Sequence, residues 1–233
     1  MTVVGVKEQK GEVVLHDYWR SSASYRVRIA LGLKGVAYRR MTVDLVAGGQ
    51  QASRHLAVNP QGLVPVLEID GLVLTQSLAI LEYLEETRPA APLLPAAPAA
   101  RARVRAIALA VACDIHPVSN LSVLKRVEDL AGPEARADWN RDNIASGLEA
   151  IEKLLDHAGF TGRFCHGDRP GLADCALIPQ LYNATRWGVD FSHLAHISAV
   201  AHACADEPAF AAAAPERFDP ARAAGEPRLQ PQA

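Results

Sequence analysis

No two of the four cysteines, Cys113, Cys165, Cys175 and Cys204, stand in a C-x-x-C spacing. The sequence therefore supplies neither an intrinsic dithiol nor the paired thiolates of a zinc knuckle, and a reduced, cytoplasmic setting fits it best. Long apolar runs are missing too: nowhere do about eighteen apolar residues follow one another, as a membrane-spanning helix requires. Residues 1–12 carry no apolar stretch or cleavage pattern of an export signal. Charge of one sign is equally scarce. Lys and Arg number 24 against 26 Asp and Glu, a net of −2 with no basic block, which argues against broad electrostatic capture of nucleic acid or an anionic membrane. The histidines show no ligand spacing, so a metal site is not expected. What remains is an ordinary globular composition, 233 residues and 49% hydrophobic, enough for two modest domains.

The first ninety residues read β-α-β-α-β-β-α. Val13-Val14-Leu15 is a short apolar strand, and Arg20 to Leu31 turns within two residues into a helical pattern. Lys34-Gly35 stops that helix, and Ala37 to Val43 alternates as a second strand that the crossover makes parallel to the first. Asp44 to Val58 is a polar loop with a short helix. Val64-Pro65 opens a third strand, and Asp70-Gly71 turns it into an antiparallel partner, Leu72-Val73-Leu74. A helix then starts at Thr75-Gln76-Ser77. Pro89, Pro92, Pro95 and Pro98 mark a linker over 89–98.

No convincing strand follows. Arg101 to Val127 is a long helical stretch that Pro117 should kink or restart. Further helices are expected over Pro133–His157, from Ala173 to about Arg186, over His193–Ala205 and over Pro208–Ala214. A flexible tail is expected over 215–233. The domains thus fall at 12–88 and 99–214.

Three places carry chemistry. Ser21, Ser22 and Ser24 stand where a helix's first N–H groups lack partners and its dipole is positive, a pattern that also suits an anion or a thiolate, although the stretch taken alone favours an ordinary cap. Val64-Pro65 is a candidate cis bond, which would turn the Val64 N–H and C=O outward to pair with an extended peptide; a trans proline opening a strand is the alternative. Gln76-Ser77 is a second polar helix start.

The order of these pieces resembles the cytosolic glutathione transferases, and the string Ser-Ser-x-Ser-x-Arg-Val-Arg-Ile-Ala-Leu resembles the zeta class, the class of the maleylacetoacetate isomerases. Leu33-Lys34-Gly35, Gly48-Gly49-Gln50-Gln51, Asn59-Pro60-Gln61-Gly62-Leu63-Val64-Pro65, Gln76-Ser77-Leu78-Ala79-Ile80-Leu81-Glu82-Tyr83-Leu84-Glu85-Glu86, Cys113-Asp114-Ile115-His116-Pro117 and Gly171-Leu172-Ala173-Asp174 support it, over residues 13–214. The resemblance implies an α/β thioredoxin-like N-terminal domain, an all-α C-terminal domain, glutathione as cofactor and a homodimer.

It further implies roles for individual residues. Val64 and Pro65 would meet the cysteinyl part of glutathione, Gln76 and Ser77 the γ-glutamyl carboxylate, and Gln51 the glycyl end. Ser21 would face the sulfur and hold it as thiolate, with Ser22 assisting or capping. His116 and Asn120 would line the cleft, and Arg20 and Arg186 would anchor a dicarboxylate keto-acid substrate. The implied reaction is cis-trans isomerisation of maleylacetoacetate by thiolate addition, bond rotation and elimination, in tyrosine and phenylalanine breakdown. Alternatives are maleylpyruvate isomerase, a transferase acting on α-haloacids or other electrophiles, and a non-catalytic glutathione-binding stress or interaction protein.

Two positions depart from the family pattern. Ala23 stands where many zeta-class members carry Cys, which removes any enzyme-side mixed disulfide there. Gly171 stands where Ser or Thr normally opens a capping box completed by Asp174. Arg26 and Arg28, inside the first helix, are expected to form structural ion pairs. His116 has a second reading, satisfying a carbonyl freed by the Pro117 kink.

Overall fold

The structure, a computed structural model, describes residues 11–223. Strand β1 (Val14–Asp17) runs into helix α1 (Ser22–Leu33), which returns to β2 (Arg39–Thr42); a short helix α2 (Ser53–Leu56) leads to β3 (Val66–Ile69), β4 (Leu72–Thr75) and α3 (Ser77–Thr87). The sheet order is β2-β1-β3-β4, with β1 parallel to β2 and antiparallel to β3, and β3 antiparallel to β4. β1 is buried along its whole length, while β2 and β4 form the exposed edges. Asp70 and Gly71 both take positive φ, as a two-residue hairpin turn of the primed type requires.

The remaining chain described is helical. α4 (Pro98–Leu109) widens into a π-helical turn, Ala110–Ile115, and a 3₁₀ turn, Pro117–Ser119. The expected kink at Pro117 is therefore a full break: Pro117 has no N–H to continue the ladder, and Asn120 restarts the chain as the cap of α5 (Leu121–Leu155). α5 is itself interrupted at Gly132, which precedes Pro133 and leaves helical φ/ψ. α6 (Leu172–Arg186), α7 (Ala195–Ala205), α8 (Pro208–Ala213) and α9 (Pro220–Ala223) complete the described chain.

α1 is the hub. It packs on α3 within the sheet domain and on α6 and α8 of the helical domain. Nine of its residues are buried, including Val27, Ile29, Ala30 and Leu31. The expected ion pair of Arg28 is present: its Nη1 donates to Asp17 Oδ1 at 2.7 Å with both side chains fully buried. Its Nε and Nη2 donate to the carbonyls of Ala213 and Trp19, so the buried guanidinium is satisfied on every side. Phe218 lies against the guanidinium groups of Arg28 and Arg40, 4.8 and 4.4 Å from its ring centre. The first part of the segment expected to be flexible is thus held to the fold; residues 224–233 lie outside the described chain.

Asp174 explains the entry of α6 despite Gly171. Its carboxylate accepts the amides of Gly171 and Cys165, each at 2.8 Å. The linker backbone adds a further bond at this entry: Leu172 N donates to Leu93 O at 2.8 Å. A Cβ at residue 171 would come within 2.7 Å of that same Leu93 oxygen, so a side chain there is excluded by close approach.

Candidate functional site

Strand direction alone gathers the chemistry at one end of the sheet. β1 ends at Asp17 and leads through Tyr18–Ser21 into α1. The antiparallel register pairs His16 with Val66, so Val64-Pro65, just before β3, arrives beside the end of β1. Val66 pairs in turn with Thr75, and Gln76-Ser77 follows at once. The parallel pairing of Asp17 with Thr42 sends the chain after β2 towards Gln51 from the same end.

Each piece is fixed by its neighbours. The Val64-Pro65 bond is cis. The carbonyl just before it, on Leu63, takes two donors from buried side chains, Asn59 Nδ2 at 2.8 Å and His55 Nε2 at 2.9 Å. His16 bonds Glu68 through Nε2 and brings its ring to 5.9 Å from that of His55. Gln51 lies against the same loop, since a Cβ at Gly62 would meet its Nε2 at 2.7 Å. Gln76 holds φ +64 and ψ 112, a costly conformation for a residue other than glycine. Its side chain receives no cap amide and instead donates to Gln61 Oε1 at 2.9 Å.

The two serines at the α1 start have separate fates. Ser21 is the cap: its Oγ accepts Ser24 N at 3.2 Å, and it donates to nothing among the described residues. A hydroxyl carries one donor and two lone pairs, so the Ser21 proton stays free to point outward. Ser22 is buried and donates to Pro179 O on α6 at 3.4 Å. Its proton is turned to the contact between the domains, so of the two hydroxyls Ser21 is the one left free to donate.

Arg20 and Arg186 converge from the two domains. The Arg20 guanidinium stacks 4.9 Å from the Trp19 ring and donates to Tyr18 Oη at 3.2 Å. Arg186 is held below the usual arginine range by burial and then by the positive charge of Arg20. Neither forms an ion pair among the described residues. Tyr182, one turn before Arg186, meets Tyr25 edge-on at 6.2 Å and ties this corner to α1. Two cations kept together without a carboxylate make a place for an anion.

His116 and Asn120 occupy the break before α5. Burial, then the charge of Arg26, pushes His116 down to about 3, so the ring is neutral at any physiological pH. The ring makes no hydrogen bond among the described residues, which removes its reading as a plug for a freed carbonyl; its backbone N closes the π-helical turn, donating to Val111 O at 2.9 Å. Asn120 Oδ1 is occupied as a cap by Ser122 N at 3.2 Å.

Arg26 overturns an expectation. It is 2% exposed and has no acidic partner among the described residues. Its Nη1 donates to Ser77 Oγ at 3.1 Å, while Nε and Nη2 have no partner. The one hint in the sequence was position: Arg26 follows Ser22 by four residues and shares its helix face. Gln61, Asn59 and His55 are further supports that composition and periodicity did not single out.

The arrangement fits a small peptide thiol: two helix starts without acidic residues in their first turns, a free serine proton and a cis-proline loop meet at one sheet end. Residues 11–86 match the model for the glutathione S-transferase N-terminal domain, and residues 98–215 that for the glutathione S-transferase C-terminal domain. The chain belongs to the glutathione S-transferase family. Within that family, a maleylacetoacetate isomerase of Rhizobium meliloti (strain 1021) is 58% identical over 211 residues, covering 90% of this chain and 99% of the relative. A solved holo structure of maleylpyruvate isomerase, a bacterial zeta-class transferase, superposes with a TM-score of 0.85 at 43% identity, covering 89% of this chain and 98% of that one. A maleylacetoacetate isomerase of Anaeromyxobacter dehalogenans, solved with dicarboxyethyl glutathione and citrate in its active site, gives a TM-score of 0.80 at 43% identity, over 91% and 94% of the two chains. The glutathione transferase fold and the zeta-class resemblance expected from the sequence are both borne out.

Proposed function

We propose that this glutathione transferase is a glutathione-dependent isomerase that converts maleylacetoacetate to fumarylacetoacetate. The observation that carries the reading is the pair Arg20 and Arg186, two guanidinium groups drawn together without an ion-pair partner among the described residues, one of them directly before Ser21 in the chain. Glutathione, when bound, would supply a thiolate that adds reversibly to the conjugated double bond and lets it rotate. The chain's own residues do the rest. Val64 offers backbone groups to the peptide, Gln76 and Ser77 receive the γ-glutamyl carboxylate, and Gln51 meets the glycyl end. Ser21 donates its free proton towards the sulfur, and the positive end of α1 adds to this, favouring thiolate over thiol. Arg20 and Arg186 hold the substrate's carboxylates by bidentate pairing and favour the charge that develops during addition. Ala23 leaves no cysteine beside the sulfur. His116 offers a neutral ring to the cleft, and Asn120 contributes through its amide group while its oxygen caps α5.

The relative bound to dicarboxyethyl glutathione supports this chemistry, since that ligand joins the sulfur to a dicarboxylate carbon skeleton. Maleylpyruvate, with the same maleyl end, is the second substrate supported by a structural neighbour. The place in tyrosine and phenylalanine breakdown, the cytoplasmic setting and the homodimer rest on family membership. The test is isomerisation followed with glutathione present and absent: fumarylacetoacetate should form only in its presence, with glutathione recovered intact. A conjugate accumulating in place of the trans product would favour the transferase reading.

A further inference from the structure

We propose that Arg26 is the buried positioning residue of the anion site at the start of α3, holding Ser77 so that its hydroxyl proton is turned to the ligand's glutamyl α-carboxylate. The proposal rests on the glutathione reading of that helix start and assigns a role to a residue outside it. The N-terminus of α3 has no side-chain cap and no acidic residue in its first turn. Its first amides and its dipole therefore face outward uncompensated. A guanidinium that is 2% exposed reaches this point from α1, spends one N–H on Ser77 Oγ at 3.1 Å, and leaves Nε and Nη2 without partners.

A lone buried cation is costly unless something of opposite charge completes it. Arg28, two residues on, shows the completed case: Asp17 and two carbonyls surround it. Arg26 has instead the neutral imidazole of His116 nearby and no carboxylate among the described residues. Burial correspondingly lowers Arg26 to about 10, the mark of a cation held without a counter-ion and still charged at neutral pH. The geometry at Ser77 gives the mechanism. A serine oxygen has one proton and two lone pairs; with Arg26 donating into a lone pair, the proton has to leave on another side. Arg26 thus sets the direction of the Ser77 donor and places a positive charge behind it, within a low-dielectric setting where both count for more than at the surface.

The experiment is calorimetric binding of two ligands to the full chain: glutathione, and glutathione whose glutamyl α-carboxylate is converted to an amide. Wild type should prefer glutathione by about 30-fold or more, the range of a hydrogen bond to a charged group. Ser77→Ala and Arg26→Met should each lose most of that preference, and the double variant should lose little more than either alone. Circular dichroism and the thermal midpoint check each fold. Should Arg26→Met not fold, Ser77→Ala and Arg26→Lys decide: the lysine, lacking the guanidinium fork, should keep only part of the preference. A preference unchanged in Ser77→Ala, full in Arg26→Lys, or additive losses in the double variant would overturn the proposal. A wild-type chain that binds glutathione not at all would overturn the glutathione reading itself, and this proposal with it.

Discussion

Ser21 Oγ accepts the amide of Ser24 at 3.2 Å, while the neighbouring Ser22 hydroxyl donates to Pro179 O at 3.4 Å. One serine therefore keeps its proton for the site and the other gives it to the domain boundary. Ser21→Ala should lower kcat/KM by about 100-fold or more, the range of one lost oxyanion-type donor, and should raise the pKa of bound glutathione thiol in an ultraviolet thiolate titration. Ser22→Ala should change kcat/KM by less than about 5-fold and should instead lower the thermal midpoint slightly. Equal kinetic losses in the two variants would contradict the division.

Arg186 lies beside Arg20, whose charge opposes its own, and has no counter-ion among the described residues. Arg186→Ala should raise KM for the acid substrate by about 10- to 100-fold. Because the change removes an exposed charge that Arg20 repels, the thermal midpoint should stay level. A lysine should restore little, since it cannot pair bidentately. An unchanged KM would remove Arg186 from the site.

Asp174 satisfies two buried amides at once, those of Gly171 and Cys165. Asp174→Ala should destabilise the chain by about 2–4 kcal/mol, measured by urea unfolding, because both donors are left buried and unpaired. Restoring the serine of the family pattern should not help. Gly171→Ser should also destabilise, because its Cβ would crowd Leu93 O.

His116 sets the sign of the acid response. Its folded value, lowered to about 3 by burial and then Arg26, lies below the ordinary 6.5, so between those values the unfolded chain binds more protons. Stability should therefore fall as pH drops through that window. His157 is lowered in the same sense, by burial first. Glu85 and Glu152 add to it at lower pH. Burial alone would raise both, but Lys34 and the amides of Leu93 and Leu94 bring Glu85 below 4.5, as the amides of His196 and Ile197 and the His196 ring do for Glu152. Their contribution is present above 4.5 and is lost as pH falls through their folded values. Thermal midpoints at pH 7 and pH 5 should differ less in His116→Asn than in wild type; an identical drop would show that His116 does not titrate on unfolding.

The sequence made the order of elements readable because each boundary had a local cause: Lys34-Gly35, Asp70-Gly71 and Pro117 act within a few residues of themselves. It also pointed to Val64-Pro65 and to the helix starts at Ser21 and Ser77, where the chemistry is local to the backbone. What it did not reveal depends on partners far along the chain. Arg26 and Arg28 look alike in sequence, and only the fold sets Asp17 beside one and Ser77 beside the other. Ser21 and Ser22 are likewise told apart by Pro179, 157 residues away from Ser22. Gly171 reads as a missing cap until Leu93 O is seen to lie where its side chain would go.

The most direct test of the account compares kcat/KM for maleylacetoacetate, maleylpyruvate and a monocarboxylate α-haloacid, each with and without glutathione. The two maleyl acids should be isomerised only with glutathione present, maleylacetoacetate at least as well as maleylpyruvate, and both well above the haloacid. Isomerisation of neither maleyl acid by the folded, glutathione-binding chain would contradict it.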